Sequence, residues 1–550
     1  MFRDRQASHR VHEVAYDVMA RKMDRAFLWA SAAFLLVLSA FFVTVHAHGA
    51  FYRDDSLFLF IANNIYHGLA PYWASFETKN PFVEYWWAVF YVPLAPIVGI
   101  VVASRIAEGV FMAFTALFAT SVVLHLGRLT RQNGGEGKGD DARLFALLVG
   151  VGVLHVLSDW RMTGNGLDIS LYQSLPEGLS LLLALRLLYR RSLLGSVAFG
   201  VCVFWAWWTK QSSLMTLFFP LMLTVFWSWR IGRFKDYAAN VAVAVLVFTG
   251  LVAGFFVILI FNGTWTYYLR GTYGYNSFKL GSHLPYAWAR FKSMVVDSRF
   301  PFNSFAWASG VLVILAVVFG CQILLARKRR QAVPLLHVKV FALTWYAGSV
   351  FQAYAPLTFF HHYFLACWTP MAIAVAAFLL SWAPVRRNLA AVNFVVLALL
   401  CTLVLPYWSQ REEIDAIRQA TPIFGRVGEI NGIVPKDSRV FFWGGLLHYH
   451  VLNEKKSDYA QNMVWPYIID TVTDEERTAE IRRHLDGRPP DYVIEVFETY
   501  IAPRRLRPFR LDPDTLRKWT DHEYRVCLDL PAVPGAGETG PPIRVFQRID

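Results

Sequence analysis

The stretch RAFLWASAAFLLVLSAFFVTV (residues 25–45) is followed almost at once by FYRDDSLFLF (51–60). The first run is long enough to cross about 30 Å of hydrocarbon. The second sets two adjacent acids, Asp54 and Asp55, at the mouth of that span, where charge is costly unless something uses it. Runs of the same kind recur, among them VAVAVLVFTGLVAGFFVILIF (241–261) and ASGVLVILAVVFGCQILLA (308–326). A chain of 550 residues, 55% apolar, with repeated runs of that length is a polytopic membrane protein and not a soluble domain with one core. A charged leader precedes the first span and no convincing small-x-small site follows, so this span is expected to remain uncleaved.

The net charge of +13 invites a nucleic-acid partner, but its distribution excludes one. Residues 408–550 carry net −3 and residues 1–407 net +16. The excess lies in short clusters between apolar runs: YRRS (189–192), RIGRFK (230–235), RKRR (327–330) and VRRN (385–388). Such clusters mark cytoplasmic loops, and no basic face with interleaved aromatics is present. Four of the five cysteines fall inside apolar runs, leaving only Cys527 in the polar tail, which therefore has no internal disulfide.

Spans are predicted near 26–46, 104–125, 144–158, 166–188, 192–209, 211–229, 239–261, 304–326, 334–355, 357–380 and 389–407. A further candidate, 82–102, contains Glu84, two prolines and the Trp86–Trp87 pair. The leader and GRLTRQNGGEGKGDDAR (127–143) both have cytoplasmic character, so an even number of crossings must separate them. Segment 82–102 is accordingly expected to lie at the outer interface or to dip in without crossing. The expected architecture is an all-α membrane domain over 26–407, of about eleven transmembrane helices plus interfacial helices, after a cytoplasmic leader at 1–25. Its outer loops are 47–82 and 262–303, and an extracytoplasmic α/β domain follows over 408–550. In that tail RVFFWGG, DYVIEVFE, YRVCLDL and IRVFQRI are runs of strand length and composition. DEERTAEIRRHLDG (474–487) is a helix with early acids, late bases and a glycine stop.

The first outer loop gathers Asp54, Asp55, Glu77, Lys79 and Glu84 among Tyr72, Trp73, Phe76, Tyr85 and Trp86. Acids at the start of SLFLFIANNIYHG can simply favour a helix N-terminus. Carboxylates facing a cation in an aromatic rim also suit sugar and phosphate chemistry: one takes a proton from a hydroxyl, the other charge steadies a leaving phosphate.

The ordered set RDD (53–55), NIYHGLAPYWASFETKNPFVEYWW (64–87), WWTKQSSLMTLFFPLML (207–223) and FFHHYFLACWTPMAIAV (359–375) resembles the GT-C glycosyltransferases. The similarity is greatest to the lipid A aminoarabinose transferase and protein O-mannosyltransferase branch. The tail segments RVFFWGGLLHYHVLNEKKSDYA and PPDYVIEVFE resemble the extracytoplasmic part of the same proteins. Two departures stand out: KNP occupies the place of a Lys-Pro-Pro, and ACWTP that of a Gln-Leu-Leu-Pro.

The resemblance implies a transferase that moves a sugar from a polyprenyl-phosphate donor to an acceptor hydroxyl on a glycan, lipid or protein, with inversion. It implies action at the outer face of a bacterial inner membrane, with the C-terminal domain on the periplasmic side. Asp54 and Asp55 are the implied catalytic acids, and either can be the base. Lys79 and Lys210 are implied near the lipid phosphate, although Lys210 at a span end can also be a snorkelling interfacial lysine. Asp168, in GNGLDISLY, is a substrate-binding candidate with helix capping as its rival; Glu84 and Tyr85 are further substrate contacts. His362 and Tyr363 are candidates for phosphate or sugar contact, with Arg270, Lys279 and His283 in the outer loop 262–303. Adjacent histidines on a helix project in different directions and no carboxylate stands at ligand spacing, so no metal site is assigned. No organic cofactor is implied; a divalent cation is used by some such transferases and not by others. A transporter or flippase would instead place polar residues at mid-membrane in repeated halves; a scaffold without chemistry would have no need of the acids.

Overall fold

The computed structural model describes residues 22–41, 53–72, 79–132, 139–158, 169–275, 287–296, 304–330, 333, 335–356, 361–409, 423–435, 438–444, 474–485, 487–496, 511–532 and 542–549. The chain begins with α1 (Lys22–Phe41), α2 (Arg53–Tyr66), α3 (Phe82–Gln132) and α4 (Gly139–Ser158). After a 3-10 turn at Ile169–Tyr172 come α5 (Ser174–Tyr189), α6 (Leu193–Thr209), α7 (Ser213–Arg230) and α8 (Phe234–Phe261). Between α8 and the next long helix lie α9 (Trp265–Leu269), a π-helical turn at Arg270–Tyr275 and α10 (Ala287–Val296). Next are α11 (Ser304–Arg329), α12 (Leu336–Tyr354), a 3-10 helix at His361–Cys367, α13 (Trp368–Ser381), α14 (Ala383–Arg387) and α15 (Leu389–Ser409). Helix occupies each of the eleven expected spans. Among the described residues six helices are long and apolar enough to cross a membrane, by length and composition; the others are shorter or carry more polar residues.

Most of segment 82–102 is a helix of its own, folded back on the helix that follows it. It is the first arm of α3, which breaks at Gly99 (φ 78°, ψ 162°), a backbone conformation open in practice only to glycine. The two arms fold back on each other. Trp86 Nε1 donates to Ala107 O at 2.9 Å, Tyr91 Oη and Ser104 Oγ are 2.7 Å apart, and the Phe82 and Phe111 rings meet at 6.3 Å. The first arm thus reaches only to the level of Phe111, and the second continues roughly 30 Å beyond that level. Its outer face exposes Val89, Val92 and Ile97, apolar side chains suited to lipid.

The opposite end of α3 ties three elements together. Asp24, buried at the start of α1, accepts from Arg143 Nε of α4 at 2.8 Å and also pairs with Arg128 of α3. The start of α1, the end of α3 and the start of α4 therefore share one side of the bundle. Elsewhere helices approach closely through small residues. A Cβ on Gly200 of α6 would lie 2.5 Å from Ala244 O of α8, and one on Gly348 of α12 would lie 2.7 Å from Thr216 O of α7.

The tail contains α16 (Ile423–Ile433), β1 (Val440–Gly444), α17 (Asp474–Leu485), β2 (Tyr492–Val496), α18 (Pro513–Thr520), β3 (Tyr524–Leu530) and β4 (Ile543–Arg548). The sheet order is β1-β2-β4-β3, parallel between β1 and β2 and antiparallel elsewhere. Alternate residues feed two cores. Phe441, Trp443, Val493 and Phe546 pack with Ile481, Leu485, Leu516 and Trp519 from α17 and α18. Phe442, Ile494 and Val545 pack with Ile430 and Val434 from α16 and its end. Central β2 is covered on both faces, which is why its sequence YVIEV lacks a polar alternation. All four expected strands are present, as is the helix of 474–487; α16 and α18 were not predicted.

Candidate functional site

Helix α2 starts at Arg53, which places Asp54 and Asp55 in its first turn. Their side chains lie outside the described set. Phe58, one turn further along, is buried, and Lys79 Nζ stands 4.9 Å from its ring centroid. The chain returns to Lys79 through Tyr72, a non-glycine residue at φ 67° whose hydroxyl donates to Lys79 O at 2.6 Å. Lys79 is thus held beside the helix that carries the acid pair.

Lys210 follows the last turn of α6 in extended conformation, its N–H donating to Ala206 O. The side chain is buried. Nζ donates to Ser170 Oγ at 3.1 Å and lies 4.6 Å from the Tyr363 ring centroid, so a cation–π contact and a hydrogen bond replace water around the ammonium. Ser170 belongs to the 3-10 turn Ile169–Tyr172, which directly follows Asp168 in sequence. Tyr172 Oη accepts from Trp87 Nε1 at 2.8 Å, and Trp87 meets Phe58 edge-on at 6.4 Å.

The two lysines are joined by a second and shorter route. Gln211, next to Lys210, donates from Nε2 to Asn80 Oδ1 at 2.9 Å, and Asn80 is next to Lys79. Asn80 Nδ2 donates to Trp207 O at 2.8 Å, while Tyr268 Oη donates to Asn80 Oδ1 at 3.2 Å. Contacts therefore run in a closed circuit from Lys79 through Phe58, Trp87, the 169–172 turn, Lys210, Gln211 and Asn80 back to Lys79. Lys79 lies against α2, and this circuit links it to Lys210.

Of the remaining predicted residues, Glu84 is fully buried in the first turn of α3, and the half-buried Tyr85 ring is 5.8 Å from the Trp208 indole. Tyr363 is at the site, beneath Lys210. His362 lies in the 3-10 helix His361–Cys367 and Arg270 opens the π-helical turn; both side chains are outside the described set. Asp168, Lys279 and His283 lie outside the described residues, as does Glu77. Among the described residues no group of three or more His, Cys, Asp and Glu side chains is placed to hold a metal ion.

Two features escaped the sequence reading. Glu177 of α5 is fully buried, accepts from Trp345 Nε1 at 3.3 Å and is within electrostatic reach of Lys210. A carboxylate inside an expected span is itself a signal. Arg105 and Glu108 of α3 form a buried ion pair at 3.0 Å, visible in sequence as opposite charges three residues apart inside an apolar run.

This arrangement is a bundle of apolar helices in which lysine and aromatic side chains are linked beside α2, followed by a small mixed α/β domain, and its fold is similar to that of a solved membrane-protein structure. One similar solved structure is that of ArnT from Cupriavidus metallidurans bound to undecaprenyl phosphate, with a TM-score of 0.54, 10% identity and coverage of 94% of this chain and 97% of that one. The apo structure of the same transferase aligns at 12% identity with a TM-score of 0.40, covering 93% and 97%. No family model matches the sequence, and no curated protein matches it by sequence similarity.

Proposed function

We propose that this protein is an integral glycosyltransferase of the bacterial inner membrane that moves a sugar from a polyprenyl-phosphate donor to an acceptor hydroxyl at the outer face. The observation that supports this is that Lys79, which lies over Phe58 of the helix whose first turn holds Asp54 and Asp55, is linked to the Lys210 turn through the Gln211–Asn80 hydrogen bond. A donor with an isoprenoid tail keeps its phosphate at headgroup depth, so a site at the outer end of a bundle suits it. The similar transferase binds undecaprenyl phosphate, a ligand of this chemistry. The clustering of basic residues at the Arg230 end of α7 and the Arg327–Arg329 end of α11 supports a cytoplasmic placement for those ends.

In the proposed reaction an acceptor hydroxyl attacks the anomeric carbon, and the bond to the lipid phosphate breaks on the opposite face, inverting configuration. The hydroxyl proton passes to Asp54 or Asp55. Lys79 and Lys210 offset the charge that accumulates on the departing phosphate, a contribution larger in the transition state than in the bound donor. The test uses purified protein in nanodiscs with radiolabelled undecaprenyl-phosphate sugars and envelope extract as acceptor. Donor-dependent release of undecaprenyl phosphate is expected, with Asp54→Asn or Asp55→Asn reducing it by about 10²–10⁴-fold at an unchanged thermal transition. Turnover that survives both substitutions overturns the assignment.

A further inference from the structure

We infer that Asn80 is a positioning residue that sets the spacing of the two lysines, so that Lys79 and Lys210 act on one phosphate group together; this rests on the function proposed above. Asn80 is 0% exposed, and three elements converge on its amide. Its Nδ2 donates to Trp207 O, a carbonyl in the last turn of α6 that the helix itself leaves without a donor. Its Oδ1 accepts from Gln211 at the start of the α6–α7 turn and from Tyr268 of α9. The side chain thus caps the helix that presents Lys210, while its own backbone continues directly from Lys79.

The geometry points to position rather than to simple core filling. Tyr268 stacks edge-on against Tyr72 at 5.3 Å, and Tyr72 donates to Lys79 O. The carbonyl of Lys79 and the amide of Asn80 are therefore held by one aromatic pair, Tyr72 from the segment after α2 and Tyr268 of α9. Lysine ammonium groups on four-carbon stems have considerable freedom, so their joint hold on one anion depends on how closely their backbones are fixed. The Asn80 amide ties the backbone that continues from Lys79 to the Lys210 turn.

The test measures the affinity of the full-length protein in nanodiscs for undecaprenyl phosphate itself, alongside the thermal transition. Lys79→Met is expected to weaken binding by about tenfold or more. Asn80→Ala is expected to weaken it by about tenfold in the wild-type background but by less than about twofold in the Lys79→Met background, because an amide that acts through the lysines has little left to position. Gln211→Ala, which removes one strut and leaves both lysines, is expected to give an intermediate loss, so the outcome does not depend on Asn80→Ala alone. Loss that is additive with Lys79→Met, or affinity retained within twofold by both Asn80→Ala and Gln211→Ala, overturns the positioning role and leaves the proposed function standing. Wild-type protein that does not bind the lipid phosphate, or binding indifferent to Lys79→Met, overturns both.

Discussion

The Lys210 ammonium lies 4.6 Å from the ring centroid of Tyr363, on a segment more than a hundred residues away, while it donates to Ser170. A cation over an aromatic face in a site shielded from water is stabilised by about 1–2 kcal/mol. That contact sets where the ammonium can present its remaining protons. Tyr363→Leu is therefore expected to lower kcat/KM for a polyprenyl-phosphate donor by about 5- to 30-fold. Tyr363→Phe, which keeps the ring face, should retain most of the activity. Equal activity of the Leu variant and wild type in a steady-state assay would remove Tyr363 from the site.

Gly99 is where α3 reverses, at φ 78° and ψ 162°. A Cβ there meets no neighbour within 4 Å, so any cost of Gly99→Ala is backbone strain and not a clash. About 1–3 kcal/mol of destabilisation is expected, with a loosened contact between Trp86 and Ala107. A drop in the thermal transition together with a shift in Trp86 fluorescence checks this. An alanine variant with an unaltered transition contradicts the assigned reversal.

Gly200 presents the opposite case. Its conformation is ordinarily helical, but an added methyl would sit 2.5 Å from the Ala244 carbonyl of α8 and 2.9 Å from the Val247 Cβ. Backbone cannot move aside as a flexible side chain can, so Gly200→Ala is expected to cost about 1–3 kcal/mol by forcing α6 and α8 apart. Gly250→Ala, whose methyl meets nothing within 4 Å, is the matched control. Comparing the two thermal transitions in one detergent distinguishes close packing from a general intolerance of alanine.

In the tail, Asp491 accepts from Arg439 N and from the guanidinium groups of Arg439 and Arg548. Partial burial pushes its pKa up, but the hydrogen bonds from Arg439 and the two positive charges outweigh this and hold the carboxyl below its ordinary value. A depressed folded pKa contributes stability that is fully present above the unfolded value near 4 and is lost as pH falls through the folded value. Asp491→Asn is expected to cost about 1 kcal/mol at pH 7, discounted for the partial exposure of the pair. It should also flatten the acid loss of protection at β1 and β2. Hydrogen exchange of those strands in the full-length protein, at neutral and acid pH, measures both effects.

Much of this architecture was legible in sequence because its signals are local. Hydropathy over twenty contiguous residues places spans, and β-branched runs such as RVFFWGG and IRVFQRI place strands. The exception was α3: hydropathy alone could not show that 82–98 folds back along the first part of the next span, since that depends on which partner Trp86 and Tyr91 find. Helix α18, PDTLRKWT, was missed because it is short and polar on most of its surface. Asp512 caps it by accepting from Thr515 N, and its core contribution rests on Leu516 and Trp519 alone.

Sequence by itself determined that this is a polytopic membrane chain with basic clusters on one side, acids beside the first span and a small sheet at the end, because each of these is a property of neighbouring residues. Only the tertiary structure decided that Asn80 and Gln211, 131 residues apart and adjacent to Lys79 and Lys210, are joined by a hydrogen bond. Contacts at that separation follow from how helices pack, and packing is set by the shapes of all the facing side chains together rather than by any stretch of the chain read alone.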